Sequence, residues 1–375
     1  MKKLGISIFV LLFLNGPIKV FADSGELAIS HAPIGIMGDH YHKKGEWMFS
    51  ARYVGMSMSD NLIGSRKVTD AEIIENPNPY QSGMMSTKLS IVPEKMEMDM
   101  AMLGLMHAPS DSITLMSMAM FEQKEMQSLT YQGVMPKMGG MSSPNMGGMN
   151  MPSKKRIGLG SFKTKSSDLK SLSISALIRL FEREEFRAHV QLGIEKNLNS
   201  NDETGDVLTP MNKRVEMILP YAMQIGDAST SLLSAFTFVN NRRNDWVFGF
   251  QGRARTNLQR DAWAFGNSRS LNAWVQKSVA QKTSVSAGIS YSDISGIIGR
   301  DPTINGPVQA ANPSNYGGTT TSFSLGLNQL VKIFPGGHDD RIGLEISKPI
   351  NQNLNGPQMG TSWQFQIGYQ KSFGY

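Results

Sequence analysis

Polar and apolar positions alternate with period two in one segment after another of this chain. Phe186, Ala188, Val190, Leu192 and Ile194 alternate with Arg187, His189, Gln191, Gly193 and Glu195. Val285, Ala287, Ile289 and Tyr291 alternate with Ser284, Ser286, Gly288 and Ser290, and Phe323, Leu325 and Leu327 with Ser324, Gly326 and Asn328. Near the end, Trp363, Phe365, Ile367 and Tyr369 alternate with Gln364, Gln366, Gly368 and Gln370. Side chains on a strand point to opposite faces in turn, so each segment carries one apolar and one polar wall. The rhythm predicts strands near 46–58, 94–106, 113–121, 168–181, 186–196, 229–240, 245–256, 269–278, 283–292, 319–331, 341–348 and 361–375.

A soluble sandwich alternates as well. Three features favour a transmembrane barrel instead. The polar walls are rich in Ser, Gly, Gln and Arg, as a wet or tightly filled lumen requires. The strands approach the 9–11 residues that a tilted strand needs to cross a bilayer. The last alternating strand ends on the aromatic Tyr375, which looks like the C-terminal signal of bacterial outer-membrane barrels. The connections alternate between short and long, the pattern of short periplasmic turns and longer outer loops. The expected fold is therefore all-β: a single transmembrane antiparallel up-and-down β-barrel of about 12 strands, with 10–14 open because Arg214 to Gln224 reads either as a further strand or as a structured loop. An even count puts both termini on the periplasmic side.

Leu172, Ile174, Ala176, Ile178 and Leu180 are expected to face lipid, and Trp246, Trp263, Trp363 and Tyr375 to sit in interfacial girdles. Ser171, Ser173, Ser175, Arg179, Arg187, His189, Glu195, Arg253, Arg255, Asn272 and Gln276 are expected to line the lumen. The plainer role for each lumen arginine is an ion pair with an acid such as Glu195 or Glu345. The other is contact with a solute.

The first residues change the address of the protein rather than its fold. Lys2 and Lys3, the apolar run Leu4 to Leu14 and the Val20-Phe21-Ala22 site read as a signal peptide over 1–22. Residues 23–45 then form a periplasmic or lumen-plugging segment, and 46–375 the barrel, with a Met/Gly-rich outer loop at 122–167. Of 37 basic and 31 acidic residues, three lysines leave with the signal, so the mature balance is 34 minus 31, or +3. That is too mild to argue for nucleic acid. The absence of cysteine excludes disulfides, thiolate metal sites and a cysteine nucleophile. The expected address is the outer membrane of a Gram-negative bacterium, with its lipid, the barrel assembly machinery and a small solute or metal ion as partners.

Methionine is concentrated: 26 in all, of which 17 fall between Met84 and Met151. Met96, Met98, Met100, Met102 and Met106 share one face of a strand, opposite Glu97 and Asp99. Turning the methionines inward would put those acids in lipid at a cost of about 2–4 kcal/mol near the midplane, so the methionines are expected to face lipid. The next strand, with Met116, Met118 and Met120, is ambiguous because Ile113, Leu115 and Phe121 lie on its other face. Met138, Met141, Met146, Met149 and Met151 lie in a glycine-rich stretch with no core to fill. Thioethers are soft ligands suited to Cu(I), so this loop is a candidate for metal capture, the alternative being a low-complexity surface loop. His31, Met37, His40 and His42, with Asp39 among them, form a second candidate for copper or zinc. The alternative is a polar segment folded into the lumen or across its periplasmic mouth.

The segments His31 to Ser50, Met102 to Asp111 and Arg300 to Pro313 resemble a family of bacterial outer-membrane proteins described as transporters. It is named for the meta-cleavage pathway of phenol degradation (the MetA-pathway family). The resemblance covers nearly the whole mature chain. It implies a barrel of unassigned cargo and brings no catalytic residues. No serine motif accompanies His189, and no phosphate loop, dinucleotide fingerprint or zinc-protease pattern appears, so the chain is not read as an enzyme. The expected function is passive passage of a small solute, with copper handling as the alternative.

Overall fold

The computed structural model describes residues 27–136, 156–183, 185–199, 203–240, 245–333 and 339–373. The predicted signal peptide, Tyr375 and the loop methionines Met138, Met141, Met146, Met149 and Met151 lie outside them. Among the described residues, no helix is long and apolar enough to cross a membrane.

The chain is a run of antiparallel strands. They are β1 (Trp47–Gly64), β2 (Arg66–Val68), β3 (Ile91–Ser110), β4 (Ile113–Tyr131), β5 (Gly158–Glu182), β6 (Phe186–Asn197), β7 (Thr204–Leu208) and β8 (Arg214–Ile218). There follow β9 (Thr230–Asn240), β10 (Trp246–Gln259), β11 (Trp263–Ala264), β12 (Ser268–Ala280), β13 (Thr283–Ile294), β14 (Ile298–Gly299), β15 (Gly318–Val331) and β16 (Asp340–Phe373). One short helix, α1 (Asp70–Glu75), follows β2 and is capped by Thr69 and Glu72. The ring runs β1-β3-β4-β5-β6-β9-β10-β12-β13-β15-β16, and β16 closes it on β1, with β2 appended at its end of β1. The strands left out of the ring, β7 with β8 and β11 with β14, pair within the long connections. Of the stretch Arg214 to Gln224, left open by the sequence, Arg214–Ile218 is one arm of a loop hairpin and Tyr221–Met223 a short 3-10 turn.

Eleven strand segments form this ring, yet neighbours that are all antiparallel can close only in even number. The resolution lies in β16. Its first part, Asp340 to Leu354, pairs with β15, and its second, Leu354 to Phe373, pairs with β1. The chain must therefore reverse within β16. The Tyr369 hydroxyl donates to Asp340 Oδ1 at 2.8 Å, and the Thr361 N–H donates to Gln352 Oε1 at 2.9 Å, as the arms of one hairpin would. Counted this way the barrel has twelve staves. A loop was expected at 349–360, where the strand in fact continues. Gln352-Asn-Leu-Asn-Gly-Pro-Gln shows no apolar alternation, because a hairpin that rises beyond the lipid band has no apolar face to present.

The same reason lengthens β4 and β5 into the stretch expected to be loop. Above their apolar belt, Glu125 on the outer face pairs with Lys163 and Lys165, each at 2.7 Å. In the belt, Leu103, Leu115, Phe121, Leu172, Ile174, Leu192, Phe250, Ile289 and Phe323 all point outward. The serines Ser171, Ser173 and Ser175 and the glutamines Gln191, Gln251 and Gln276 are buried inside. Apolar outside and polar within is the arrangement a lipid solvent demands. Trp246 and Trp363 stand on the outer surface, whereas Trp263 does not: it is 2% exposed and belongs to a cluster made by the long loops.

Candidate functional site: the lumen

Chain folds into the barrel interior at both ends. At the end carrying the short turns, residues 27–46 have little regular structure, so their backbone carbonyls need partners from elsewhere. Inward side chains of the strands supply them. Ser284 donates to the Ala28 carbonyl at 3.1 Å, Arg187 to Ser30 at 2.8 Å, Gln251 to Met37 at 2.9 Å, and His189 Nε2 meets the Gly38 carbonyl at 2.8 Å. Arg341 donates to the Ala32 carbonyl and at 2.8 Å to Asn328 Oδ1. The Gly35 N–H donates to Glu345 at 3.2 Å. Gly343 and Gly368 make room for Ile34, since a Cβ on either would come within 2.7 and 2.6 Å of its side chain. These residues form a floor.

At the other end the long loops fold inward over an apolar cluster. Trp263, Tyr221, Leu219, Met223, Ile304 and Ala311 are its buried centre. The Tyr221 and Trp263 rings meet edge to face, 4.7 Å between centroids, and the Asp301 N–H donates to the Tyr221 hydroxyl at 2.7 Å. This is a roof.

Between them lie two cavities of about 610 and 330 Å³. They share Met120, Glu195, Arg255 and Ser268 and so adjoin. One wall is thioether: Met56, Met58, Met96, Met98, Met100 and Met120 line the larger cavity, and Met116 and Met118 the smaller. The expectation that the methionines of β3 face lipid is therefore corrected. Glu97 and Asp99 do point outward, but they lie beyond the apolar belt, where Glu97 pairs with Lys95 at 2.6 Å and Asp99 accepts from the Tyr53 hydroxyl at 2.5 Å. The strand extends past the depth at which an outward acid would be buried in lipid. The facing wall carries Glu195, Arg253 and Arg255, with Asn272 beside them. The methionine wall itself is interrupted by the pair Glu122 and Lys124, 3.2 Å apart, with Lys170 on Glu122 at 2.5 Å.

The expected lumen residues divide into three uses. Arg187, His189 and Gln276 hold the floor; Gln276 donates to Ser284 Oγ at 2.7 Å. Arg179 pairs with Glu182 at 2.9 Å beside the Tyr41 ring, at the short-turn end and away from the cavities. Glu195, Arg253, Arg255 and Asn272 face open space. Arg255 is neutralised by Glu195 at 2.7 Å. Arg253 lines the smaller cavity, and its side chain makes no hydrogen bond or ion pair with the described residues. His189, bonded to a backbone carbonyl, is not arranged as the base of a nucleophile.

In the floor, three imidazoles stand in a row: the His31 and His40 centroids are 4.7 Å apart and those of His40 and His42 4.9 Å. Asp39 Oδ1 lies 2.9 Å from His40 Nδ1, and Glu46 Oε2 3.3 Å from His42 Nδ1. Burial, with the neighbouring His40 and Arg341, holds His31 well below its usual pKa. Burial also lowers that of His42, against the pull of Glu46. Burial opposes ionisation of Asp39, but His40 and Arg341 outweigh it and hold its carboxyl well below the usual range. Arg341 and Glu345 were missed as floor contacts. Their signal was their shared parity on the inward face of the predicted 341–348 strand.

No protein-family model matches the chain, and no curated protein does. Solved structures do. The COG4313 outer membrane channel from Pseudomonas putida F1 aligns over 90% of this chain and 99% of its own, at 14% identity and a TM-score of 0.52. The chain has that fold, a closed antiparallel β-barrel. A Pseudomonas aeruginosa FadL homologue aligns over 87% of this chain and 90% of its own at 10% identity, with a TM-score of 0.39. A KdgM porin in complex with disordered oligogalacturonate aligns over 87% and 99% at 7% identity, with a TM-score of 0.35.

Proposed function

We propose that the protein is a passive outer-membrane channel for a small amphipathic solute, gated by residues 27–46. The observation that carries this is the lumen itself: two adjoining cavities, thioether on one wall and guanidinium on the other, held between a hydrogen-bonded floor and an apolar roof. Methionine adapts to varied apolar shapes. Arg253, near Glu195 but with no side-chain hydrogen bond or ion pair among the described residues, suits an anionic or polar head group. In this reading the short turns and both termini face the periplasm, the barrel sits in outer-membrane lipid after insertion by the barrel assembly machinery, and the chain belongs with the MetA-pathway transporters that its His31 to Ser50 segment resembles.

Planar-bilayer recording on the mature protein, with and without residues 27–45, tests it. The intact protein should be mostly closed and the truncated one should show long-lived open steps. In the truncated channel, Arg253→Gln should shift selectivity away from anions. A truncated barrel that migrates as folded on a heat-modifiability gel yet never conducts would end the channel reading.

A further inference from the structure

His40, the middle of the row of histidines in the floor, borders a third cavity, of about 30 Å³, large enough for an ion or a water. Its lining includes His40 and Asp39 from the floor, Met48, Met102, Met106, Met116 and Met118 from the barrel wall, and the cation of Arg52, which acts on Asp39 and Glu345. The two carboxylate contacts occupy one nitrogen on each of two rings, Nδ1 of His40 and Nδ1 of His42. The Nε2 atoms of both rings, and Nδ1 of His31, are buried without any hydrogen-bond partner. A carboxylate on one imidazole nitrogen with the other left bare is how proteins orient metal-binding histidines. His31, Asp39 and His40 each place a potential ligand atom within 4.8 Å of the others.

We infer that these imidazoles and the thioethers facing them form a binding site for a soft, singly charged metal ion, Cu(I) or its analogue Ag(I). Three features select that class. Thioether sulfur binds soft ions and not hard ones. Asp39 is already engaged, accepting from His40 and, at 2.9 Å, from the Ala32 N–H, which leaves imidazole and sulfur as the donors. The charges close by are near balance, with Arg52 and Arg341 acting on Asp39 and Glu345, so a doubly charged ion would find little net negative field. The methionine wall continues upward through Met116 and Met118 into the cavity above, which gives the site a thioether-lined approach from the lumen. The site goes beyond the channel reading and does not need it, because binding is measurable whether or not the lumen conducts.

The test is a Cu(I) titration of the full mature protein in detergent against a coloured Cu(I) chelator, repeated with Ag(I) by calorimetry. The variants are Met102→Leu/Met106→Leu/Met116→Leu, which keeps side-chain volume, and His40→Leu/His42→Leu. A third variant replaces Met138, Met141, Met146, Met149 and Met151 with leucine, so that capture by that loop is read separately. The expected result is one Cu(I) withheld from the chelator by the wild type, with affinity weakened about tenfold or more in each of the first two variants and kept in the third. X-ray absorption of the loaded protein should show mixed sulfur and nitrogen ligands. The inference is overturned if the wild type withholds no Cu(I), if affinity falls only in the loop variant, or if binding survives the Met102, Met106 and Met116 replacements with a nitrogen-only shell. Heat-modifiable migration of each variant establishes that its barrel is folded.

Discussion

The two closures of the lumen differ in the balance of what holds them. The floor has apolar contacts, with Ile29, Ala32 and Ile36 packed on Val239, Val247 and Trp274 and Ile34 buried against Gly343 and Gly368, but its chain is carried mainly by side-chain hydrogen bonds. The floor is a stretch of chain whose carbonyls are met one by one by Ser284, Arg187, Gln251, His189 and Arg341. The roof is an apolar cluster around Trp263 and Tyr221. Hydrogen bonds are directional and individually modest, about 1 kcal/mol net each, and water can replace them when the floor lifts. A buried aromatic cluster has no such substitute. On the channel reading, the floor is the part expected to move and the roof the part expected to keep its shape.

Each closure can be broken separately, and the largest effect belongs to the roof. Trp263→Ala should cost about 3–5 kcal/mol locally. Limited proteolysis should then cut the long loops faster, with hydrogen exchange over residues 27–46 unchanged. Faster exchange in both regions would show that the closures are coupled. Arg341→Met should weaken the floor by about 1.5–3 kcal/mol, because it removes charge-assisted bonds to the Ala32 carbonyl and to Gln370. Open steps in bilayers should become more frequent while loop proteolysis stays as in the wild type. Ser284→Ala, which removes one neutral bond to the Ala28 carbonyl, should do the same by only about 0.5–1.5 kcal/mol.

Acidification is the mildest and the most selective perturbation. His31 faces His40, Asp39, Arg341 and Arg187, and His42 faces Glu46, His40 and Asp39. Both imidazoles titrate below their free value of about 6.5 when the floor is seated, and near that value when it is released. The released floor thus binds more protons. Its seated form has full advantage above about pH 6.5 and loses it as the pH falls toward the lowered values. Asp39, itself held below the usual carboxylate range, stays ionised through this window and does not oppose the trend. Open probability should rise between pH 7 and pH 5 in the wild type. In His31→Asn/His42→Asn it should not. An unchanged slope in that variant would remove the histidines from the gate.

The comparison also marks how far the residues could be read in order. Alternation located every stave within the apolar belt, because lipid imposes one rule on every outward side chain. Leu172 and Ile174 obey it, as do Ser173 and Ser175 across from them. The rule lapses above the belt, and there the boundaries slipped: β4, β5 and β16 run on through residues that no longer alternate. The same lapse misled the reading of Glu97 and Asp99, whose height along β3 is a property of the assembled barrel. The His31 to His42 segment was legible as chemistry but not as architecture. Its ligand types stood in the chain, while the partners of Gly35, Met37 and Gly38 lie more than 150 positions away.

What the sequence determined by itself was the strands and, outside the methionine strands, their faces. A two-residue period fixes which side chains share a wall, and strand length with the Ser-, Gly-, Gln- and Arg-rich polar walls favoured lipid over a soluble sandwich. What the tertiary structure alone decided was depth and company. It settled which methionines look across the lumen at Arg253, which tryptophan turns into the roof, and which carbonyls of the floor find a donor. Those depend on ring closure, which brings β16 against β1 and residues 27–46 against strands from every part of the chain. Local pattern is a contract between a residue and its solvent, whereas these contacts are set by neighbours that the chain meets only when the barrel shuts.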